Sequence, residues 1–448
     1  MNVRLRGGVK TPHHKDTAGS APVAIPVPAE VSIPMSMGIG APAKPVVQKG
    51  DHVRVGQLIA EPGGFVSSPI YASVSGDVKS IGSMVATSGA RMQAINIVSD
   101  GLQEPWEGIT PPQVTDTASF VAAVRDSGVV GLGGAGFPTA VKLTVKDLSA
   151  VDYVLINGAE CEPYITSDTR TMLDEADSIR EGVLLLKKFM EAKRILFGIE
   201  SNKPQCVEKM RAVTGDIDGV EVVSLPAKYP QGGEKVLIYN LTGRTVPEGK
   251  LPLDVGVIVI NCTTLAAIAK YVKTGMPLVS KTVTVAGSAV KEPKNVIAPI
   301  GSPMSALIDF CGGFREEPKK ILYGGPMMGI AVDGTDTPLL KTTNAVLAFG
   351  AKEAEPPVTT SCIRCGRCVS SCPMHLMPLE LETAFTLNKP ELLKKGKVNL
   401  CMECGSCAFA CPAKRPLVQT MTLAKGVLRA YEAKLKAEAE KKEGKQNG

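Results

Sequence analysis

The chain has 448 residues, 44% hydrophobic and 21% charged, a length that predicts two to four domains rather than one core. No run approaches the ~18 apolar residues of a membrane-spanning helix, and the basic start MNVRLRGGVKTPHHKD lacks the apolar core of a signal peptide, so a protein made and kept in the cytoplasm is expected. The net charge of +6 is concentrated near the end, where nine Lys or Arg stand against four Glu from Ala413 to Gly448. That tail reads as a solvated, partly helical end, with an anionic membrane surface or an acidic partner as the sharper alternative. No basic patch interleaved with aromatics accompanies it, which argues against nucleic acid.

Residues 1–30 hold little periodicity and Pro is dense from Pro12 to Pro45, so this part is expected to be extended. Between 41 and 82 short β-branched runs are cut by Gly at close intervals, as in VVQKGDHVRVGQLIAEPGGFVSSPIYASVSGDVKSIG, and predict a small all-β unit. The unit resembles the barrel-sandwich fold of biotinyl and lipoyl carrier domains. Its turn ASVSGDV carries no lysine at the tip, so a structural module is expected rather than a swinging arm. A linker, DGLQEPWEGITPPQVTD at 100–116, follows, with Trp106 packing locally. From 117 to 275 a helical run (TASFVAAVRDSG) alternates with strand patterns (DYVLINGA, AKRILFGIE, and VGVIVINCTT opening into LAAIAKYVKTG). Such alternation predicts an α/β layer with a largely parallel sheet. Strands return from 281 to 345 (KTVTVAGSAV, ILYGGPMMGIAV, NAVLAFG), and AKEAEPPVTT links them to a cysteine-rich end.

Eight of twelve cysteines fall in two copies of Cys-x2-Cys-x2-Cys-x3-Cys-Pro, CIRCGRCVSSCP at 362–373 and CMECGSCAFACP at 401–412. Three thiolates spaced by two residues can wrap one face of a small inorganic cluster. The fourth, followed by Pro, then points to the other cluster of a pair, as in two-cluster ferredoxins. The spacing assigns Cys362, Cys365, Cys368 and Cys411 to one [4Fe-4S] cluster and Cys401, Cys404, Cys407 and Cys372 to the other. Zinc would need only two Cys-x2-Cys pairs per ion and leaves the third cysteine and the Cys-Pro unexplained. A disulfide framework is disfavoured without a secretion signal. The segment PLELETAFTLNKPELLKKG between the copies reads as helices, and His375 as a surface or supporting residue. Cys161, Cys206, Cys262 and Cys311 read as small buried hydrophobes, and His13 and His14 as exposed.

Clusters pass electrons singly, so a donor site is expected elsewhere in the chain. In VVGLGGAGFPTAVKL, Gly131, Gly133 and Gly136 formally satisfy the dinucleotide fingerprint G-x-G-x-x-G, with Asp152 or Glu160 as the acidic residue some way on. A tight turn is the alternative. Either reading brings backbone N–H groups toward an anionic ligand.

GLGGAGFPTAVK, then NGAECEP at 157–163, YPQGGEKVL at 229–237 and INCTTL at 260–265 resemble, in the same order, the flavin- and NADH-binding subunit of respiratory complex I. A β module, then this domain, then a two-cluster ferredoxin is similar to the layout of the RnfC family, the C subunits of Rnf electron-transport complexes, over essentially the whole chain. The resemblance implies that Gly131, Gly133, Gly134 and Gly136 pass over the isoalloxazine and phosphate of FMN and that Lys142 approaches its polar edge. It implies that Asn157, Glu160, Tyr229, Gly232, Gly233 and Glu234 line the flavin, and that Asn261 with Thr263 or Thr264 binds near the phosphate. Phe137 would stack on the nicotinamide-nucleotide side and Glu162 would bind its ribose or amide. Leu132 and Ala159 depart from the complex I pattern, which usually has Arg and an acid there. The strands at 281–345 resemble the SLBB-type β-grasp module of the same relatives, expected to brace the flavin domain against the ferredoxin part.

The chemistry asks for the same parts. NADH delivers two electrons as a hydride, a [4Fe-4S] centre accepts one, and a flavin converts between them without a protein nucleophile. The expected fold is multi-domain α/β and β: an extended segment and barrel-sandwich domain at 1–110, an α/β FMN/NADH-binding domain at 111–277, an SLBB-like β-grasp domain at 278–352, a helical two-cluster ferredoxin domain at 353–420 and a charged tail at 421–448. The expected activity is that of an NADH:ferredoxin oxidoreductase, a peripheral subunit on the cytoplasmic face of the membrane. It would pass electrons through FMN and two [4Fe-4S] clusters to integral-membrane and peripheral subunits of an Rnf-type complex, reversibly reaching ferredoxin, while the complex moves ions. The alternatives are a soluble NADH-dependent iron–sulfur flavoprotein and a non-catalytic iron–sulfur relay that binds no flavin.

Overall fold

A computed structural model describes residues 7–87 and 89–446. The first six residues of the expected extended segment, and Asn447 and Gly448 of the basic tail, lie outside them. The barrel-sandwich unit pairs a four-stranded antiparallel sheet (Glu30–Pro34, Arg91–Ser99, Gly76–Val85, His52–Val53) with a three-stranded one (Lys44–Pro45, Leu58–Glu61, Ile70–Tyr71). Alternation supplies its core. Val31, Ile33, Ile95 and Ile97 point inward from neighbouring strands and are fully buried.

The α/β unit holds four parallel strands in the order Val220–Leu225, Arg194–Glu200, Tyr153–Gly158, Val257–Asn261. Its strands read as near-continuous apolar runs because helices cover them, Ala176–Phe189 packing on Cys262–Thr274 among them. In chain order the sheet runs third, second, first, fourth, so the direction of growth reverses between Tyr153–Gly158 and Val257–Asn261. Ligands of open parallel sheets bind outside the carboxyl ends at such a reversal. Here Asn157 and Asn261 stand in register at those ends.

The third unit is a six-stranded mixed sheet, Val23–Ala24, Lys294–Pro299, Ser280–Ala286, Ala345–Phe349, Lys320–Tyr323 and Ile330–Val332 in order, covered by Met304–Phe310. Its edge strand, Val23–Ala24, comes from the N-terminal segment. That segment is extended as its proline content predicts. With no core of its own, it satisfies its backbone on every other unit. Gly8 N–H donates to Ser371 O, Val9 and Tyr229 exchange both bonds, and Thr17 O accepts from Asn295 Nδ2 at 3.0 Å.

The cysteine-rich unit is helical, with Pro378–Thr386 and Pro390–Lys395 packed on the long helix Leu417–Gln446 through Leu381, Leu393, Met421, Ala424 and Leu428. That helix runs unbroken across residue 420, so the first part of the basic tail is core-forming. No helix among the described residues is long and apolar enough to cross a membrane.

Candidate active site and cluster ligands

The glycine run forms a closed loop and not the strand–turn–helix of a dinucleotide fold. Gly131 N–H donates to Phe137 O, Val130 bridges Pro138, and the helix that follows, Thr139–Leu143, has five residues. The tight-turn reading therefore describes the glycines. The loop lies over the sheet reversal, where Leu132 N–H donates to Thr264 Oγ1 at 3.0 Å and a Cβ on Gly133 would stand 2.5 Å from Asn261 Nδ2. Gly133, Gly134 and Ala135 are exposed, while Leu132 beneath them is buried.

Asn261 caps the 13-residue helix Cys262–Thr274, its Oδ1 accepting from Thr263 and Thr264 N–H. Its Nδ2 donates to Asp168 Oδ2 at 2.7 Å, and Thr263 Oγ1 donates to Asp168 Oδ1 at 2.7 Å. The three residues assigned to a phosphate thus also shape the helix start, around an aspartate with no sequence signal of its own. Lys142 Nζ meets Glu234 Oε1 at 2.7 Å and Val259 O at 3.2 Å. Asn157 Nδ2 donates to Gly232 O at 2.9 Å. A Cβ on Gly232 would contact Ala159, Cys161 and Asn157 within 3.6 Å, so this glycine lets the 229–234 turn close over the strand ends.

The NGAECEP segment and the tyrosine after it are bent, with Glu160 at φ +44° and Tyr164 at φ +70°. Two lysines outside the motifs hold it. Lys15 Nζ donates to Glu160 O at 2.9 Å and Glu162 O at 2.8 Å, and Lys203, ion-paired with Glu200 at 3.0 Å, donates to Ala159 O at 2.8 Å. Glu160 turns inward and caps Ser167–Asp174 through Asp168 N–H and Thr169. Cys161, read from sequence as a buried hydrophobe, is half-buried and accepts Gly232 N–H at 3.4 Å; Cys206, Cys262 and Cys311 are buried. Glu162 Oε2 accepts Met327 N–H at 3.0 Å, and burial lifts this carboxyl to about 7 against the pull of the Met327 and Met328 amides. Glu162 Oε1 and Tyr229 Oη are buried and stand beside one another, with no other polar partner. Burial raises the Tyr229 hydroxyl far above its ordinary value, and the nearby Glu162 charge raises it further. Phe137 is half-buried beside the glycine loop.

These features fit a flat, polar-edged cofactor with an anionic tail. Exposed glycines form an open platform, a helix N-terminus lies beneath it, and the buried Glu162–Tyr229 pair supplies polar atoms.

The two cysteine motifs fold alike. Cys362 and Cys401 Sγ accept the N–H of Arg364 at 3.3 Å and of Glu403 at 3.4 Å, both residues having φ near +55°. Gly366 and Gly405, at φ +73° and +77°, then open the helices Arg367–Ser370 and Ser406–Ala410. Cys362, Cys365, Cys368 and Cys411 line one cavity, and Cys372, Cys401, Cys404 and Cys407 another. Among the described residues no three such side chains converge on a single-ion site. Sulfurs around a cavity suit a cluster, whereas zinc draws its ligands to about 2.3 Å. Cys362 and Cys365 are exposed and Cys404 and Cys411 buried. His375 is exposed; its N–H bonds Cys372 O.

The second cavity faces the α/β unit. A Cβ on Gly233 would stand 2.5 Å from Met402 Cε, and one on Gly405 3.0 Å from the carbonyl of Met327, whose N–H holds Glu162.

Four family models match the chain: an RnfC barrel sandwich hybrid domain over 3–102, a Nuo51 FMN-binding domain over 124–270, an SLBB domain over 282–331 and a 4Fe-4S dicluster domain over 361–415. The chain is 45% identical to the C subunit of a proton-translocating ferredoxin:NAD(+) oxidoreductase complex of Clostridium ljungdahlii, over 88% of this chain and 86% of the relative. It is 43% identical to the C subunit of a Na(+)-translocating ferredoxin:NAD(+) oxidoreductase complex of Acetobacterium woodii, over 95% and 98%. The C subunit of an ion-translocating oxidoreductase complex of Rhodobacter capsulatus is 41% identical over 95% and 83%. In fold the chain is similar to part of an NAD+-reducing [NiFe]-hydrogenase in the H2-reduced state, with TM-score 0.51 and 19% identity, over 70% of this chain. The match spans 63% of that hydrogenase chain.

Proposed function

The chain belongs to the RnfC family, the C subunits of ion-translocating ferredoxin:NAD(+) oxidoreductase complexes, and from that premise we propose that it exchanges electrons between NADH and the other subunits of such a complex, reversibly reaching ferredoxin. FMN would be held by the loop at 131–136, the ends of the strands bearing Asn157 and Asn261, and the 229–234 turn. When bound, FMN supplies the exchange between a two-electron hydride and single electrons. The two cysteine sets would each hold a [4Fe-4S] cluster, which supplies one-electron transfer.

The protein's own residues bind and orient. The exposed glycines admit a flat ring against the backbone, and the helix start at Cys262–Thr274 favours an anionic group nearby. Glu162 accepts an amide at Oε2 and can hold a proton at Oε1 near neutral pH. It stands ready to accept from a ribose hydroxyl when ionised or to donate when neutral. Phe137 offers an apolar face at the loop's end.

The observation that carries this reading is the packing of Met402, next to the ligand Cys401, against Gly233 of the turn at the strand ends. Such an approach serves electron transfer between a cofactor on the sheet and the cluster of Cys372, Cys401, Cys404 and Cys407. We assign the chain to the cytoplasmic face of the membrane, where NADH is available, as a peripheral subunit with ion passage left to partners; no described helix is long and apolar enough to cross a membrane. Two measurements test this. Anaerobically reconstituted full chain should retain FMN together with iron and sulfide. In cells, the chain should sediment with membranes when partners are present and leave them on a high-salt or alkaline wash. Iron and sulfide with no FMN bound at any concentration would contradict it.

A further inference from the structure

The glycine loop is held at intervals of four residues by the third unit. Lys341 Nζ donates to Gly128 O at 2.8 Å, Lys281 Nζ donates to Leu132 O at 2.9 Å, and Thr342 packs where a Cβ on Gly136 would fall. Lys341 also bonds Pro69 O at 2.7 Å and Ser68 Oγ at 3.2 Å in the barrel sandwich, and Lys281 bonds Asn344 Oδ1 at 2.5 Å. Both lysines are almost wholly buried, Lys281 at 5% and Lys341 at 2% exposure, and every hydrogen-bond acceptor they use is neutral. Burial pushes both ammonium groups down to about 7, with only Asp168 pulling Lys281 the other way. A brace between two domains could be built from leucine or methionine at no such cost.

What an ammonium adds is control of peptide orientation. In a planar trans peptide the carbonyl and the next N–H point in opposite directions. Anchoring Leu132 O on the third unit therefore turns the Gly133 N–H away from that unit, on the exposed stretch of the loop. We propose that Lys281, oriented by Asn344, is a positioning residue that presets the glycine loop for its anionic cofactor, with Lys341 fixing the loop's base. The proposal rests on the reading of this loop as an FMN site. It gives the β-grasp unit a part in cofactor binding beyond bracing.

The test uses the full chain carrying K281M, N344L, both together, and K341M. FMN affinity is read by flavin fluorescence, and amide hydrogen exchange of 128–137 is read on the FMN-free protein. Loss of the hydrogen bond that Lys281 donates to Leu132 O predicts FMN binding weakened up to about tenfold in K281M. N344L should weaken it less, and the double variant should match K281M because both act along one path. Protection should fall in 128–137 and hold in the strands at 153–158 and 257–261, and saturating FMN should restore NADH-dependent bleaching. If K281M does not fold, N344L and K341M carry the same expectation. Folded K281M with unchanged FMN affinity and unchanged loop protection overturns the proposal. Failure of the unsubstituted chain to bind FMN overturns the functional reading instead, while the exchange data still report on the lysine.

Discussion

At the scale of single residues, the site is built from groups whose ordinary behaviour has been moved by burial. Glu162 is the clearest. Its carboxyl titrates near 7 in the folded chain, against 4.5 unfolded, because desolvation outweighs the Met327 and Met328 amides. Between those two values the folded state holds a proton that the unfolded state has released, so stability falls as pH rises from about 4.5 to 7. Glu162→Gln should remove that slope. Melting temperatures from pH 5 to 8 should converge on a flatter line than in the parent, and parallel curves would show that Glu162 is not the titrating group. Gly133 matters instead through close packing. A methyl there meets Asn261 Nδ2, which is already committed to Asp168. Gly133→Ala should therefore displace the Asn261 cap, at about 1–3 kcal/mol of local overpacking. It should lower FMN affinity more than Gly134→Ala, where a Cβ meets open space. Equal affinities in the two variants, read by flavin fluorescence, would count against the placement of the loop.

At the scale of elements, what could be read from sequence follows from how local each determinant is. The two cysteine motifs encode their own geometry: fixed spacing and a glycine at positive φ make each turn, and the fourth cysteine reaches the partner cavity. The strand ends at Asn157 and Asn261 were legible because apolar runs stop there, and at Asn261 a helix begins at once. The formal dinucleotide pattern misled on geometry, since Gly131 closes onto Phe137 and no strand of the parallel sheet leads into the loop. Lys281 and Asp168 were not legible. Each lies among other polar residues of an ordinary strand or helix, outside any motif, and Lys281 acts on a carbonyl 149 residues away. Lys15 is hidden for the same reason, in a proline-rich stretch whose backbone partners lie on other units.

At the scale of the whole molecule, the units converge in an order that electrons can follow. The α/β site abuts Met402 and hence the cavity of Cys372, Cys401, Cys404 and Cys407, while the other cavity is bordered by the exposed Cys362 and Cys365. Cys404→Ser should therefore cut both clusters off from NADH, whereas Cys365→Ser should leave the inner cluster reducible. EPR of each variant after NADH addition checks this, and an outer cluster still reduced by NADH in Cys404→Ser would reverse the order. Electron transfer from NADH through FMN into iron–sulfur centres within one chain is the expected activity. It is tested most directly by anaerobic NADH titration of the reconstituted protein, with visible absorbance and EPR read on the same samples. Flavin bleaching accompanied by reduced-cluster signals is expected. Clusters that dithionite reduces but NADH does not, in a chain that retains no flavin, would contradict it and leave an electron relay whose donor lies on another subunit.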